Sequence, residues 1–258
     1  ARHMNILKFN LSGKTAFFRS NEVNEGDLQF TFGHIHKIAL MGMLGAILGM
    51  DGHMMGYLKS KDKYVHPEFY TKLKDIKVSI VPKVSKGYFR RKKHNMVNTA
   101  GYANEAGKKA ATLMYTEQWL EDVSWDIYID LQSLTVNELR EKLIDYILNG
   151  KSRFITYLGK TNHPATIKNV EILEKKKISN DKININSLFL SDKAVKVKNK
   201  GFGNSNLNEF IYKEVLPVAY TDNKSLYVSK SFTFSNAKFN IGNNEEFLEV
   251  NGLNLFFF

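Results

Sequence analysis

The chain has 258 residues, and 43% of them are hydrophobic, which is enough for a substantial core in one large or two small domains. Its 37 lysines and arginines exceed its 26 acidic residues, for a net charge of +11. This excess favours a polyanionic partner, either nucleic acid or an acidic membrane surface. The absence of cysteine excludes disulfides, thiolate nucleophiles and cysteine-bound metals, and it favours a cytoplasmic location.

The first predicted elements are a strand at Ile6–Leu11 and an apolar helix at Ile35–Met50. Gly42, Gly45 and Gly49 follow spacings of three and four, so one face of this helix is almost free of side chains. Each glycine costs a helix roughly 1 kcal/mol relative to alanine, so we expect close packing or close ligand approach there. The apolar run is far shorter than the roughly 20 residues that cross a bilayer.

Basic residues stand at the start of this helix. His34, His36 and Lys37 lie where the first backbone N–H groups have no partner within the helix. Those groups and the positive end of the helix dipole favour a phosphate. The sequence therefore predicts an anion contact at the start of the helix.

A second strand is predicted at Ile76–Pro82, and the segment 83–115 then becomes rich in lysine, arginine, glycine and asparagine. We expect a protruding hairpin or loop there. Its basic residues would attract a phosphate backbone, and an aromatic neighbour could stack a base for about 1–3 kcal/mol, although a basic run can also be a solvated face. The basic and aromatic members of this cluster are Lys86, Tyr88, Phe89, Arg90, Arg91, Lys92, Lys93 and His94.

A third strand at Trp119–Leu131 and a helix at Thr135–Asn149 follow, with Thr135 and Glu138 in a capping-box pattern. Strands at Arg153–Leu158 and Ala165–Leu173 complete a strand-helix-strand-strand-helix-strand order. That order predicts an α+β fold with a ferredoxin-like core, the arrangement of RNA-recognition domains.

Beyond Lys175 the composition shifts to lysine and asparagine with short strand patterns. We expect a smaller β-rich C-terminal part with a boundary near 175–185. Its predicted strands are Tyr212–Ala219, Ser225–Phe234 and Phe247–Val250.

Several motifs together resemble the Cas five family of type I CRISPR complexes. The first strand ends in Leu11-Ser12-Gly13, Ala16-Phe17-Phe18-Arg19 follows, and the glycine-dense helix comes next. The run from Tyr157 through Leu158-Gly159-Lys160 to Pro164-Ala165 resembles the element before the last core strand of the family. The stretch from Glu117 to Ile129 is similar to the type I-B branch. The resemblance covers about residues 4–175.

This resemblance implies a ferredoxin-like palm at 4–175 with a thumb hairpin at about 83–115, and a C-terminal subdomain at 176–258. It implies an RNA-binding Cascade subunit that holds the 5′ handle of the crRNA and contacts the Cas seven backbone subunit and the Cas eight large subunit. Target DNA would be met through the complex. The implied RNA-binding residues are Lys14, Phe18, Arg19, His34, His36, Lys37, Lys86, Tyr88, Arg90, Arg91, Lys92, Lys93, His94 and Lys160.

One branch of the family cleaves precursor crRNA without metal, using a Lys-His pair after the third strand. Here residues 132–137 contain neither lysine nor histidine, and the adjacent pair Lys93-His94 lies before that strand. We therefore expect no catalytic residue, and the metal-independent endoribonuclease remains the alternative. Arg19 could also pair simply with Glu25 or Asp27.

The histidines are scattered, and no carboxylate spacing accompanies them, so neither a metal site nor a cofactor is predicted. A competing class is a basic peripheral protein that binds membranes or nucleic acid nonspecifically. It would need a cationic amphipathic helix or a continuous lysine-rich tail, whereas the apolar helix here is typical of a buried one. Preference for RNA with a defined 5′ handle would separate the two classes.

Overall fold

The structure is a computed structural model, and it describes residues 5–25, 27–60, 63–98, 113–198, 208–222 and 224–258. Within these ranges the protein has the α+β fold class that the sequence predicts, with more strand than helix. The helices are α1 (Lys37–Leu48), α2 (His53–Ser60), α3 (Glu68–Leu73) and α4 (Asn137–Leu148). The strands are β1 (Asn5–Ala16), β2 (Arg19–Glu25), β3 (Leu28–Thr31), β4 (Lys77–Pro82), β5 (Arg90–Asn98), β6 (Leu113–Asp130), β7 (Thr166–Lys177), β8 (Lys182–Asn184), β9 (Phe189–Leu190), β10 (Val195–Lys196), β11 (Ile211–Thr221), β12 (Lys224–Ser235), β13 (Lys238–Asn240), β14 (Phe247–Val250) and β15 (Leu253–Phe256).

The main sheet is built around β1, which pairs antiparallel with β6 on one side and with β7 on the other. β4 joins the far side of β6, so the central order is β4-β6-β1-β7. Along the chain, β1, α1, β4, β6, α4 and β7 follow the predicted strand-helix-strand-strand-helix-strand order. Leu7, Phe9 and Leu11 of β1 pack into the same core as α1, while Lys8 and Asn10 alternate to the opposite face.

Two local predictions are wrong. No strand forms at 153–158, because the backbone N–H groups of Arg153 and Phe154 donate instead to carbonyls near the end of α1, at 2.9 and 3.1 Å. The predicted capping box is also absent, since α4 begins at Asn137 with Val136 as its N-cap and no capping side chain. Both regions therefore take their conformation from tertiary contacts.

β5 and the first half of β6 form an antiparallel hairpin in the segment predicted as the thumb. Residues 99–112, between these two strands, lie outside the described residues. The C-terminal part is rich in strands, as predicted, and β14 pairs with the end of β7, so β14 and β15 extend the main sheet. β7 runs through the predicted boundary, and the division into two domains stays a prediction.

The glycine face of α1 serves two purposes. A Cβ on Gly45 would lie only 2.5 Å from the Cβ of Phe69, so α3 packs directly on the helix backbone there. A Cβ on Gly42 would be 3.8 Å from the Phe69 ring, which is an ordinary contact. The expected close packing is therefore found at Gly45, and the helix face around Gly42 lines a surface groove.

Gly159 fixes the loop before β7 against the end of β1. It has a φ of +92°, and a Cβ at this position would overlap the carbonyl oxygen of Phe17. Beside it, the Phe17 N–H donates to the Leu158 carbonyl at 3.1 Å. No side chain fits between these two backbones, so Gly159 sets the position of Lys160, the next residue.

We predict that Gly159→Ala destabilises the protein severely, with a loss above about 4 kcal/mol in the free energy of unfolding. Gly150→Ala is the matched control, because Gly150 also has a positive φ, +62°, but no atom lies within 4 Å of the position that a Cβ would take there. The free energy of unfolding of the control should fall by only about 1–2 kcal/mol, because alanine adopts a left-handed backbone conformation less readily than glycine. Urea unfolding of both variants gives the comparison, and equal losses would contradict the close backbone contact.

Candidate nucleic-acid interface

His34 lies in the core and makes two hydrogen bonds. Its Nδ1 accepts from the indole N–H of Trp125 at 3.1 Å, and its Nε2 is 2.8 Å from the Gly87 carbonyl oxygen. Because an indole nitrogen can only donate, the proton of the neutral imidazole is on Nε2, which donates to Gly87. Burial lowers the pKa of His34 to about 4, so the ring is neutral at physiological pH.

His36 is the N-cap of α1. Its Nδ1 accepts from the backbone N–H of Ala39 at 3.2 Å, and burial lowers its pKa to about 3. The His36 ring therefore takes up one of the N–H groups that the sequence offered to a phosphate. Phe18 is buried too, with its ring edge-on to His36 and Trp125. The side chains of His34, His36 and Phe18 thus lie inside the protein.

Lys37 is directed to the C-terminal strand region. Its Nζ donates to the Phe258 carbonyl at 3.1 Å and lies 5.9 Å from the centre of the Phe258 ring. Burial lowers its pKa to about 8, partly offset by the nearby carboxylate of Asp75. Lys37 does not line the groove along α1.

We call the depression along α1 the α1 groove, which has a volume of about 640 Å³. Its floor is formed by the small residues Ala39, Gly42 and Ala46 of the helix. Arg19 and Lys160 line the groove near the start of α1. Phe18, next to Arg19, contacts the ring of His36, and the Nζ of Lys160 lies 4.9 Å from the centre of the Phe17 ring. Arg19 is exposed, and no ion pair links it to another described residue.

The far end of the α1 groove is mainly apolar, with Asp51 and His53 among its polar members. Met55 of α2 lies on one side, and Phe154 and Ile155 lie on the other, where the main chain of residue 154 bonds to the end of α1. The groove thus changes from cationic to mainly apolar along the helix.

The basic run of the thumb is divided between two faces of the hairpin. Residues alternate along β5, and Arg90 pairs with Glu121 at 2.6 Å. Arg91 points to the other side, where it lies against Tyr212 and Glu214 of β11. The four consecutive cations therefore cannot all contact one RNA strand from a single face.

The next two lysines follow the same alternation. Lys92 is opposite Trp119 in β6, and Lys93 is opposite Gln118. Both are exposed, and neither forms an ion pair with another described residue. Lys92 thus shares the Trp119 face, whereas Lys93 shares the face of Arg91.

Trp119 is the centre of a polar and aromatic cluster at the base of the thumb, the thumb-base cluster. His94 stacks on the indole at 3.9 Å with an angle of 19°, and His163 meets it edge-on at 4.5 Å. The indole N–H donates to the buried carboxylate of Glu117 at 2.7 Å, and Lys160 pairs with the other oxygen of that carboxylate. Lys160 therefore belongs to both the cluster and the α1 groove.

The remaining predicted contacts are dispersed. Lys14, Lys86 and Tyr88 are exposed, and Lys86 has an unusual positive φ of 60° in a tight turn. The structure brings Arg19, Lys160 and His94 into one region, with Lys92 on the same face of the thumb. Sequence reasoning missed His163 and the partnership of Glu117 with Lys160, because 43 residues separate that pair and no local pattern reveals it.

The opposite face of the main sheet is occupied by its own polar contacts. Lys8 pairs with Glu171 at 3.1 Å, and the side-chain amide of Asn10 donates to Asp126 at 3.0 Å. Common RNA-recognition domains stack bases on aromatic side chains of the sheet. These ion-paired and hydrogen-bonded positions do not offer such a platform.

The described residues hold neither a metal-ligand cluster nor a membrane-spanning helix. No three His, Asp or Glu side chains converge there as a metal ion would require. Nor does any helix within these ranges have the length and apolar character to cross a membrane.

No family model matches the chain, and the comparison with curated proteins gave no match either. Among solved structures, a CRISPR protein from Archaeoglobus fulgidus aligns over 98% of both chains with 9% identity and a TM-score of 0.51. A chain of a CRISPR RNA-guided surveillance complex aligns over 90% of both chains with 12% identity and a TM-score of 0.48. A chain of the Type III-B Cmr-beta complex with target RNA and AMPPnP aligns over 92% of this chain and 86% of that one, with 12% identity and a TM-score of 0.42. The likeness to the Archaeoglobus protein shows a shared fold.

The buried histidines make a pH prediction possible. Their pKa values fall from 6.5 to about 4 and about 3 on folding, so the unfolded chain binds more protons below pH 6.5. The contribution of the two neutral rings to the free energy of unfolding is therefore complete above about pH 6.5 and is lost as the pH falls towards 4.

A variant at one of the two positions tests this pH dependence. His36→Asn retains a capping oxygen without a titrating ring. Between pH 7 and pH 5 the wild type should lose about 2 kcal/mol more than this variant in urea unfolding. Parallel pH profiles would contradict the neutral buried ring.

Proposed function

We propose that this protein is an RNA-binding subunit of a type I CRISPR surveillance complex, a member of the Cas five family related to the I-B branch, and that it holds the 5′ handle of the crRNA. The proposal rests on one observation above all. Lys160 joins the cationic end of the α1 groove to the thumb-base cluster, so Arg19, Lys160 and His94 lie along one surface. The fold shared with a CRISPR protein is consistent with this role.

The chemistry of this surface suits single-stranded RNA. Arg19 and Lys92 have no carboxylate partner among the described residues, so each can contact a phosphate without breaking an ion pair. Lys160 is partly exposed and retains donors beyond its bond to Glu117. His94 is partly exposed, and its stack on Trp119 extends an aromatic surface on which a base can stack. The RNA path therefore runs from the cationic end of the groove to the Trp119 face of the thumb.

The further parts of the proposal follow from the family resemblance. The protein would lie in the cytoplasm, link the Cas seven backbone to the Cas eight large subunit, and meet target DNA through the complex. The charge of +11 suits a chain that is surrounded by RNA.

Lys92 and Lys93 provide a matched test of the RNA path. Lys92→Ala removes a phosphate contact, so the slope of log affinity against log salt for a 5′-handle RNA should fall by about 0.7. Lys93→Ala removes the same charge from the adjacent residue on the opposite face, and it should leave the slope unchanged. Fluorescence anisotropy at several salt concentrations measures both. Equal effects of the two substitutions would contradict a path along the Trp119 face.

We also propose that the protein does not cleave RNA. After β6, Gln132 and Ser133 form a turn whose N–H and hydroxyl both bond to Asp130, and no lysine or histidine follows there. Incubation with repeat-containing precursor RNA in a chelator should leave it intact. Defined cleavage within the repeat that is lost in His94→Ala would favour the metal-independent endoribonuclease instead.

A further inference from the structure

The apolar end of the α1 groove carries an exposed hydrophobic surface that lies outside the proposed RNA path. One side is α2, whose Met55 lines the groove and is 43% exposed, and whose Met54, Tyr57 and Leu58 on the same short helix are 73%, 80% and 61% exposed. The other side is the segment after α4, where Phe154 and Ile155 are 55% and 82% exposed. We call these two sides the apolar lips. An exposed apolar patch of this kind often marks a site of interaction with another molecule.

We propose that the apolar lips bind an amphipathic α-helix of a neighbouring protein subunit, with acidic residues flanking its apolar face. This deepens the proposed function, because it assigns a protein partner to the far end of the same groove. α1 has 12 residues and is therefore about 18 Å long, which separates the cationic end from the lips.

The composition of the lips favours protein over RNA. Met54, Met55, Leu58 and Ile155 have no aromatic face on which a base could stack, and among the described residues that line the groove no lysine or arginine lies at this end to hold a phosphate beside the aromatic members Tyr57 and Phe154. Methionine and aromatic residues are instead enriched at the centre of protein interfaces, where lysine and acidic residues are depleted.

The geometry of the lips favours a helix over an extended strand. The N–H groups of Arg153 and Phe154 already donate to carbonyls of α1, and the backbone of α2 is helical. Neither lip therefore offers a row of main-chain groups to pair with a strand. What remains is side-chain packing over a floor of small residues, which is how a helix binds in a groove.

The charged residues beside the lips indicate the chemistry of the partner. Arg153 at the base of one lip and Lys63 beyond the other are exposed, and neither forms an ion pair with another described residue. A second copy of this chain, docked symmetrically, would bring these cations together. A helix with flanking carboxylates would neutralise them, so charge complementarity selects an acidic partner.

The test uses single charge insertions at exposed positions. Met55→Asp and Ile155→Asp each place a carboxylate in one lip, since both side chains line the groove and are exposed, and Val195→Asp is the control, since Val195 in β10 is 72% exposed and lies outside the groove. Each variant is co-expressed with the other protein subunits and the guide RNA of a type I complex from the same genome. Native mass spectrometry of the purified assembly then gives its subunit composition, and handle-RNA binding is measured on the isolated chain.

Both lip variants should lower the occupancy of one protein subunit at least tenfold, with handle-RNA affinity unchanged, while Val195→Asp retains the complete assembly. Three results would overturn the proposal: an unchanged subunit composition, weaker RNA binding by the isolated lip variants, or a wild-type dimer that the variants dissolve. If the lip variants lose the subunit but the wild-type chain binds no handle RNA, this inference stands and the RNA-binding function is rejected. Recovery of no other subunit with the wild type would reject both.

Discussion

The hydrogen bonds of His34 connect the parts of the molecule on which the candidate interface depends. Through its two ring nitrogens, one buried imidazole joins Trp125 in β6 to Gly87 just before β5, and it does so immediately before α1 begins. A buried polar group without its partner costs about 1–3 kcal/mol, so this fully bonded ring fixes one arrangement of the thumb, the sheet and the helix.

The neighbouring residues extend the same junction. The Gly33 N–H donates to the Glu214 carboxylate at 2.7 Å, and Tyr212 donates to its other oxygen at 2.7 Å, which ties the C-terminal hairpin of β11 and β12 to the start of α1. A side chain on Gly33 would overlap these groups. With its start fixed in this way, and its end held by the N–H groups of residues 153 and 154, α1 carries a groove whose cationic end lies towards the thumb and whose far end is mainly apolar. The histidines that the sequence singled out for RNA are thus those that hold the interface in place.

The sequence predicted the elements with strong periodicity, including the glycine-dense helix, the central strands and their order. It could not predict contacts that depend on distant partners. Residues 153–158 have an apolar strand pattern, yet the N–H groups of the first two, Arg153 and Phe154, bond to α1. The run from Arg90 to Lys93 looks like one basic patch in sequence, but strand alternation divides it. Glu121 pairs with Arg90, and Arg91 lies near Glu214. Similarly, nothing near Lys160 in sequence reveals its buried partner Glu117.

The central claim is that this protein holds a guide RNA by a defined 5′ end, and co-purification tests it most directly. The tagged chain is co-expressed with its complex and a CRISPR array, and the 5′ ends of the bound RNA are sequenced. We predict one dominant 5′ end, with the same short repeat-derived sequence preceding every spacer. Recovery of no RNA, or of cellular RNA with scattered 5′ ends, would contradict the account.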